Sequence, residues 1–578
     1  MYRGFDIAVL CLLMRMKSGK IKYGRRTNML NNSLGKRIFV CAVAAVMAMS
    51  VTMSGCNVFQ GNENSQSSDK ESTAETTSDV KSKFGDNTAV KSQSYNISLP
   101  VMMYLFNYNY QSYISYYGNY MTYYGFDSSK SLKEQYYNEE SSETWYDYFL
   151  DMTKQYIKQT LVMAEAAKAD GVELDDDDKK TVDETLKSLE STASANSKTT
   201  EEYIAEYYGK GVTVNDIKDC LNLTTLAQKY YNKMYNGYTF SDEDYEKYYN
   251  EHKTDYLYAD FMTFSFSFGE EASSDASDGT QTSVNTEKKQ KAKAYADDLA
   301  KCKTREEFEA YITKYLKDNP DLVQVDTAVS EEESSKASPT QEEIDEAIKT
   351  QVASALNEKY TYELTSEAGK WVFADGRKTN ETTVIEGADT YTVIMMVKPS
   401  YRDEDTYKNV RHILFTSDTY GSEEEAKKKA DDVYKKWKDG EATEDSFAAL
   451  AEEFSSDPGS SKNGGLYENV TEGQMVAEFN DWVFDKSRKP GDTGIVKTSY
   501  GYHIMYFVGD SNTAWKVSVD SAMRKAKYEE EYNSLSEKYK VEYDDAYLKT
   551  IEVFQTTSEE ASTDESAAES TKDDTDAS

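Results

Sequence analysis

Two of the chain's three histidines fall in apolar, strand-like segments, which makes them candidates for chemistry. His412 lies in Asn-Val-Arg-His-Ile-Leu-Phe and His503 in Gly-Tyr-His-Ile-Met-Tyr-Phe, whereas His252 lies on a charged helix and is predicted at the surface. Asp457 stands between the two in a Ser-Ser-Asp-Pro-Gly turn. No Ser-His-Asp order, paired-cysteine spacing or phosphate loop stands out. The set could tune the electrostatics of a site. Alternatively, the histidines hold a sheet together and Asp457 is only a turn residue.

The segments around these residues predict one α+β unit that begins and ends with a strand. Gly440 is suited to end its first helix. The predicted elements are, in order, a strand at 409–415, helices at 422–438, 446–454 and 473–484, and strands at 493–497 and 500–507.

This order of motifs resembles the parvulin family of peptidyl-prolyl cis–trans isomerases over about residues 405–509. The shared motifs are His-Ile-Leu, Phe-Ala-x-Leu-Ala from Phe447 to Ala451, Phe-Ser-x-Asp-Pro-Gly, Gly-Gly-Leu, Gly-x-Met-x-x-x-Phe and Gly-Tyr-His-Ile. The whole chain is similar to PrsA-type extracytoplasmic foldases, which combine a lipoprotein signal, a helical chaperone region, a parvulin insert and a return helix. Two parvulin-like units in one chain also resemble SurA-like chaperones.

The resemblance implies a role for each matched position. His412 and His503 correspond to the two central histidines of the parvulin sheet, and Asp457 to a position that is Cys or Asp across the family. These three are the predicted catalytic residues. Met475 and Phe479 match the pocket that holds the proline ring.

Two further substrate-binding candidates follow from the same resemblance. Leu466 is a candidate wall of the pocket, and Tyr500 stands where a Ser or Thr is common. The loop Thr416–Ser422 contains no Lys or Arg. Since phospho-specific parvulins have a basic cluster there, phosphoprolines are not the predicted substrates.

The implied reaction breaks no covalent bond. Rotation about an X-Pro bond faces a barrier of about 18–20 kcal/mol, and the twisted amide has lost its resonance. A dry site with oriented polar groups stabilises that twisted state better than the planar one. Met475 and Phe479 would hold the ring, and the histidine–aspartate network would set the electrostatics. No cofactor or metal is required.

Part of this unit repeats earlier in the chain. Trp371-Val-Phe matches Trp482-Val-Phe, and the offset of 111 residues continues without gaps through Tyr391-Thr-Val-Ile-Met-Met-Val. Two copies of one α+β unit are the simplest interpretation, with a chance match as the alternative. At that offset Thr392 replaces His503, and we expect Phe261 or a neighbour at the position of His412. The first copy is therefore predicted to be degenerate and inactive.

Residues 91–255 are predicted to be almost wholly helical. The segment Leu99–Tyr124 carries aromatic residues three and four positions apart, which is typical of a packed core. A partly exposed face of Tyr and Met side chains would suit a cradle for unfolded clients. A long helix at Val517–Tyr539 is expected to join this region.

The first residues indicate export. Lys36 and Arg37 precede an apolar stretch that ends at Met53-Ser-Gly-Cys56, which resembles a bacterial lipobox. We expect lipidation at Cys56 and an extracytoplasmic, membrane-held protein; a plain secretory signal or an uncleaved anchor is the alternative. The predicted domains are a signal at 1–55 with a possible extension at 1–28, a disordered tether at 56–90, a helical chaperone-like domain at 91–255, a degenerate parvulin-like domain at 256–400, a parvulin domain at 401–510, a C-terminal helix at 511–555 and a disordered acidic tail at 556–578.

Composition narrows the function classes. The 578 residues carry a net charge of −37, so nucleic-acid binding is not expected. Of five cysteines, Cys220 and Cys302 would remain in the processed chain as a disulfide or as two thiols. The predicted fold is an α+β multidomain chain. The leading hypothesis is an isomerase and chaperone for secreted proteins with X-Pro bonds, and the alternative is a non-catalytic holdase that uses parvulin folds as a scaffold.

Overall fold

The computed structural model describes residues 80–121, 126–138, 142–269, 281–325 and 339–554. Within them the chain forms two compact units. We call residues 80–238 with 527–554 the helical unit, and residues 239–526 the two-sheet unit. The predicted α+β multidomain fold class is confirmed.

Side-chain caps begin most helices of the helical unit. Thr144, Asp175, Thr199 and Thr213 each form a capping box, in which the cap accepts from the third helical N–H and that residue's carboxylate accepts in return. The elements are β1 (Thr88–Lys91), β2 (Asn96–Ser98), α1 (Leu99–Met121), β3 (Tyr136–Asn138), β4 (Glu143–Thr144), α2 (Trp145–Ala169), α3 (Asp176–Ala195), α4 (Thr200–Tyr207) and α5 (Val214–Gly237). The two short hairpins correct the expectation of an almost wholly helical region.

The aromatic residues of α1 mostly form the core of the helical unit. Tyr104, Phe106, Tyr108 and Tyr110 are buried, and Phe106 contacts the ring of Tyr146 on α2. The first half of α1 therefore turns its aromatic residues into the core, whereas Tyr116 further along the helix is exposed.

The C-terminal segment completes the helical unit. After α15 (Ala514–Lys538) come β13 (Glu542–Tyr543) and α16 (Asp545–Leu548), and β13 pairs antiparallel with β1. Leu548 and Ile551 are buried in the same core as α1. The first and last described segments thus fold together across a separation of about 450 residues.

The two-sheet unit contains two antiparallel sheets with the same strand order. The first sheet runs β6-β5-β8-β7 and the second runs β10-β9-β12-β11. The elements are α6 (Asp242–Glu251), β5 (Leu257–Ser267), α7 (Gln281–Leu299), α8 (Arg305–Asp318), α9 (Gln341–Ala353), β6 (Leu356–Thr361), α10 (Glu367–Val372), β7 (Thr382–Glu386), β8 (Thr390–Arg402), β9 (Thr406–Phe415), α11 (Ser417–Tyr420), α12 (Glu423–Asp439), α13 (Glu444–Phe454), β10 (Leu466–Val470), α14 (Ala477–Phe484), β11 (Thr493–Thr498) and β12 (Gly501–Thr513).

The offset of 111 residues holds between the sheets, since β8 and β12 begin and end that far apart. In the second sheet His412 pairs with Met505, and in the first sheet Thr263 pairs with Ile394. The counterpart of His412 is therefore Thr263. It is two residues beyond Phe261, which points to the same face.

For the first copy the sequence also predicts a helix at 288–316, a helix at 342–359 and strands at 370–397, and each of these differs from the structure. The helical stretch 288–316 is two helices, because Thr304 caps a new helix after α7 has ended at Leu299. The helix predicted at 342–359 stops at Ala353, and its end belongs to β6. Part of the strand signal at 370–397 is helix α10.

Several sequence-based predictions lie outside the described residues: the signal, Cys56, residues 56–79 of the tether and the acidic tail. The tether was predicted to continue to residue 90, but residues 88–90 are buried and belong to β1. No described helix combines the length and apolar character needed to cross a bilayer. Cys220 is a buried thiol and Cys302 a partly buried one, and neither forms a disulfide.

Candidate active site

His412 and His503 lie on the two central strands of the second sheet, β9 and β12. His503 pairs directly with Leu414, two residues after His412. Directly opposed residues and residues two apart on a strand share one face of a sheet, so both rings point the same way. They are 3% and 5% exposed, respectively. The opposite face of β9, which carries Ile413 and Phe415, packs against α12 and α13.

Hydrogen bonds join the predicted polar residues in one line. Nδ1 of His412 lies 3.0 Å from Nδ1 of His503, and Nε2 of His412 lies 2.9 Å from Oδ2 of Asp457. The carboxylate arrives from the loop after α13, where Asp457 begins a turn whose Gly459 N–H donates to Oδ1 over 3.2 Å. The turn thereby aims Oδ2 at the imidazole.

Three hydroxyl groups complete the network. Ser460 and Tyr467 both donate to Oδ2 of Asp457, the latter over 2.9 Å. At the other end, Oγ1 of Thr498 lies 2.9 Å from Nε2 of His503. With these partners every ring nitrogen of the two buried histidines is hydrogen-bonded, which avoids the cost of an unpaired buried polar group.

The donors and acceptors along this line determine which ring nitrogens carry protons. Because an ionised carboxylate only accepts, Nε2 of His412 carries the proton that faces Asp457. In the neutral ring Nδ1 of His412 then accepts from His503, whose Nε2 accepts from Thr498. The Thr498 oxygen in turn accepts from the backbone N–H of Tyr500 over 3.1 Å.

Burial and hydrogen bonding set the charge states at two points. Burial, reinforced by the neighbouring His412, lowers the pKa of His503 to about 3 against the pull of Asp457. Burial alone would raise the pKa of Asp457, but hydrogen bonds from His412 and Ser460 outweigh it and hold that pKa below its ordinary value. At neutral pH the site therefore presents a neutral imidazole at His503 and a carboxylate at Asp457.

An apolar wall stands beside the network. The ring of Phe479 on α14 is nearly perpendicular to both imidazoles, at 5.5 Å from His412 and 5.6 Å from His503 between centroids. Met475 and Trp482 pack partly buried against the same apolar cluster. A ring-sized apolar group and an oriented polar line thus share one face of the sheet.

The structure brings together most of the predicted site residues, but not all. His412, Asp457, His503 and Phe479 meet, and Met475 joins their apolar cluster. Leu466 does not, because it pairs with Arg411 and so lies on the opposite face of the sheet.

The side chain of Tyr500 is 64% exposed, and only its backbone N–H reaches the network. Thr498 supplies the hydroxyl group that the family pattern suggested at position 500.

Sequence reasoning missed Ser460, Tyr467 and Thr498. Tyr467 is next to the proposed wall residue Leu466 and pairs with Val410, which shares the face of His412. A shift of one residue in the register of β10 separates the two assignments. Ser460 and Thr498 carried no signal beyond their nearness to Asp457 and His503 in the sequence.

The same position in the first sheet has different chemistry. Thr263 and Thr392 replace the histidines, and by the 111-residue offset Ala368 replaces Phe479. A hydrogen bond of 2.8 Å joins the hydroxyls of Ser265 and Thr392 there. Among the described residues no group of three or more His, Cys, Asp or Glu side chains could hold a metal ion.

Comparison with known proteins adds a family for the second sheet. A model of the PPIC-type PPIase domain matches residues 394–510, which include β9 to β11, most of β12 and the whole polar network. The match begins within β8, a few residues before the predicted boundary at 401.

Curated relatives match a limited part of the chain. A protein named chaperone SurA from Pseudomonas savastanoi pv. phaseolicola is 34% identical over 128 residues, which are 21% of this chain and 29% of the relative. One named foldase protein PrsA 1 from Listeria monocytogenes is 27% identical over 196 residues, covering 30% and 65%. The chain thus spans less than two thirds of the length of these relatives.

Among solved structures, PrsA from Bacillus subtilis is 21% identical, with 60% of this chain and 94% of that chain covered at a TM-score of 0.18.

Proposed function

We propose that this chain, which carries a PPIC-type parvulin domain at residues 394–510, is an active peptidyl-prolyl cis–trans isomerase that assists the folding of secreted proteins. The observation that supports this proposal most strongly is the continuous chain of hydrogen bonds from Asp457 through His412 and His503 to Thr498. The ring of Phe479 lies beside this chain. The first sheet keeps the fold without these residues. An intact network in one copy and its loss in the other favour chemistry over a purely structural role.

In the proposed mechanism the proline ring of the substrate packs against Phe479 and Met475. The X-Pro amide then lies near the imidazoles, where water is scarce. As the amide twists, its resonance is lost and charge shifts between its oxygen and nitrogen. Polar groups that are already oriented stabilise this state without reorganising, so they lower the barrier more than they stabilise the planar ground state. The reaction needs no proton transfer and no bond cleavage.

Substitution of Asp457 tests this proposal in the full-length chain. We expect Asp457→Ala to lower kcat/KM on a short X-Pro peptide by ~10- to 1,000-fold, the range of polar groups that act in a transition state. Asp431→Ala is the matched control, because that carboxylate pairs with Lys427 on the exposed face of α12. An unchanged rate in Asp457→Ala, with native circular dichroism, would instead make the chain a non-catalytic holdase with a parvulin scaffold.

The chaperone part of the proposal concerns unfolded clients that contain X-Pro bonds. Relatives named as chaperone and foldase support client binding. Because the polar network lies wholly within residues 394–510, Asp457→Ala should leave suppression of client aggregation nearly unchanged. Loss of both activities in a folded variant would mean that clients and X-Pro bonds use one site.

The proposed location is the outer face of the membrane, with a lipid on Cys56. The supporting observation is the lipobox-like sequence Met53-Ser-Gly-Cys56. We expect Cys56→Ala to move the protein from the membrane fraction to the soluble fraction or to leave its signal uncleaved, as judged by fractionation and mass spectrometry. Cys220→Ala serves as the control. Membrane attachment of Cys56→Ala with normal cleavage would count against lipidation.

A further inference from the structure

Tyr467 on β10 makes two contacts with the polar network. Its hydroxyl donates to Oδ2 of Asp457 over 2.9 Å, and its ring stacks on His412 at 5.2 Å between centroids and 25° between planes. One side chain therefore touches both partners of the hydrogen bond between His412 and Asp457.

We propose that Tyr467 is a positioning residue, whose hydroxyl fixes the Asp457 carboxylate and through it the proton on His412. This inference rests on the proposed isomerase function. It adds a residue that acts on the network rather than on the substrate, and it assigns the task to the hydroxyl group, separately from the ring.

Local geometry explains why a positioning hydroxyl is useful here. Asp457 lies on a loop, with its side chain 14% exposed, whereas His412 is fixed in the sheet. A carboxylate on a loop can rotate unless several donors hold it. Oδ2 is held by His412 on β9, by Ser460 in the same turn and by Tyr467 on β10. Tyr467 therefore ties the carboxylate to a second strand of the sheet.

The turn that carries Asp457 leaves room for this hydroxyl. A Cβ atom placed on Gly459 would lie 3.0 Å from the Tyr467 oxygen, closer than almost all real Cβ contacts. Glycine at 459 lets the turn and the phenol approach each other. The same glycine donates its N–H to Oδ1 of Asp457, so both carboxylate oxygens are held where the phenol meets the turn.

The phenol keeps its proton under working conditions. Burial and the negative charge of Asp457 raise the pKa of Tyr467 to about 12. It is therefore a donor over the whole neutral range. Removing it takes one stabilising hydrogen bond from the ionised carboxylate, and this raises the pKa of Asp457 toward its ordinary value.

The test compares Tyr467→Phe, which deletes one oxygen and keeps the ring, with Tyr467→Leu, which removes both. Tyr502→Phe is the matched control, since its hydroxyl donates to the exposed Glu423 over 3.3 Å and not to the polar network. Isomerisation of a short X-Pro peptide is followed across pH in the full-length chain. Nitrogen NMR of the histidine rings reports the proton on Nε2 of His412.

For Tyr467→Phe we expect kcat to fall by about 5- to 50-fold, less than the 10²–10³ typical of a donor that touches the reacting group. KM should stay within twofold because the ring remains. The acidic limb of the pH profile should move to higher pH, and the His412 Nε2 signal should shift. Tyr467→Leu also removes the ring that stacks on His412 and should lower kcat further, and Tyr502→Phe should match the wild type.

Each outcome decides between distinct conclusions. A wild type without isomerase activity refutes the proposed function. An active wild type whose kcat, pH profile and His412 signal are all unchanged in Tyr467→Phe refutes the positioning role alone. If Tyr467→Phe does not fold, a fluorinated tyrosine at 467 keeps the shape and lowers the phenol pKa. The pH profile must then change, or the role is refuted.

Discussion

Oδ2 of Asp457 accepts from three side chains, one of them the buried His412. Such a carboxylate stays charged, whereas His503 stays neutral because burial, reinforced by His412, lowers its pKa to about 3. Neither group changes its protonation state between about pH 5 and 8. The charges on these two groups are therefore expected to stay constant over this pH range.

The buried neutral His503 makes folding stability depend on pH. Its native pKa of about 3 lies below the ordinary 6.5, so the unfolded chain takes up a proton first as the pH falls. Stability is therefore lost progressively from pH 6.5 toward pH 3. The loss has a limiting slope of about 1.4 kcal/mol per pH unit for one proton. We expect His503→Gln to flatten this slope in thermal or urea unfolding.

The exposed third histidine supplies the control for this experiment. His252 has an exposed side chain at the end of α6, so His252→Gln should keep the wild-type slope. Asp457 also loses its stabilising contribution in acid, but below its ordinary pKa and thus in a lower window. Parallel curves for His503→Gln and the wild type above pH 4 would show that His503 is not held neutral in the folded chain.

At the scale of the elements, α14 is a short helix that needs support from outside. It has eight residues, begins at Ala477 and lacks a side-chain cap at its start. Support comes from Arg488, which donates Nε to the backbone oxygen of Trp482 over 3.0 Å and covers its ring at 3.9 Å. Gly494 on β11 leaves room for the indole, since a Cβ there would lie 2.9 Å from it. The brace fixes the helix that carries Phe479.

Lysine cannot replace this arginine without loss. Its ammonium group has no planar face to stack on Trp482 and no Nε in the same place, so we expect Arg488→Lys to destabilise α14 by about 1–2 kcal/mol. The isomerisation rate should fall several-fold as Phe479 moves. Hydrogen exchange of peptides from 477–484 and kcat/KM would measure the two effects.

The first copy contains the matched control. Arg377 makes the same brace on Trp371, with 2.8 Å to its backbone oxygen and 4.4 Å to its ring. Arg377→Lys should loosen α10 to a similar extent and leave isomerisation unchanged. Equal losses of activity in both variants would mean that the effect is not transmitted through Phe479.

Elements with clear caps and periodicity were predictable from the sequence. Helix α12 follows the Ser422 cap, and β9 ends in three apolar residues, Ile413 to Phe415, directly after His412. The register of β10 was not predictable, because its five residues carry no alternation strong enough to decide whether Leu466 or Tyr467 faces His412. The site residues that lie in recognisable motifs could be predicted from the sequence. Thr498 could not, because its hydroxyl group meets His503 only in the folded chain and lies in none of these motifs.

At the scale of the whole molecule, the chain leaves the helical unit, forms two sheets and returns to it. Asn107, fully buried on α1, donates to the backbone oxygens of Tyr208 and Glu552 and accepts from the N–H of Phe554. One amide side chain thus joins α1 to the returning segment. The sheets are insertions between parts that fold together, and this arrangement allows one copy to lose its chemistry while the fold is kept.

We expect only the second of the two sheets to catalyse isomerisation. In the first sheet Thr263 and Thr392 occupy the histidine positions, and Ala368 replaces the Phe479 ring. Threonine hydroxyls can hydrogen-bond to each other or to Ser265, but they cannot replace the line of imidazoles, and Ala368 has no ring to contact a proline as Phe479 would. The full-length Asp457→Ala/His503→Ala variant should therefore isomerise X-Pro peptides no faster than the uncatalysed reaction. Thr392→Val in the wild type should leave the rate unchanged. A residual rate in the double variant that disappears on adding Thr392→Val would assign catalysis to the first sheet and contradict its inactivity.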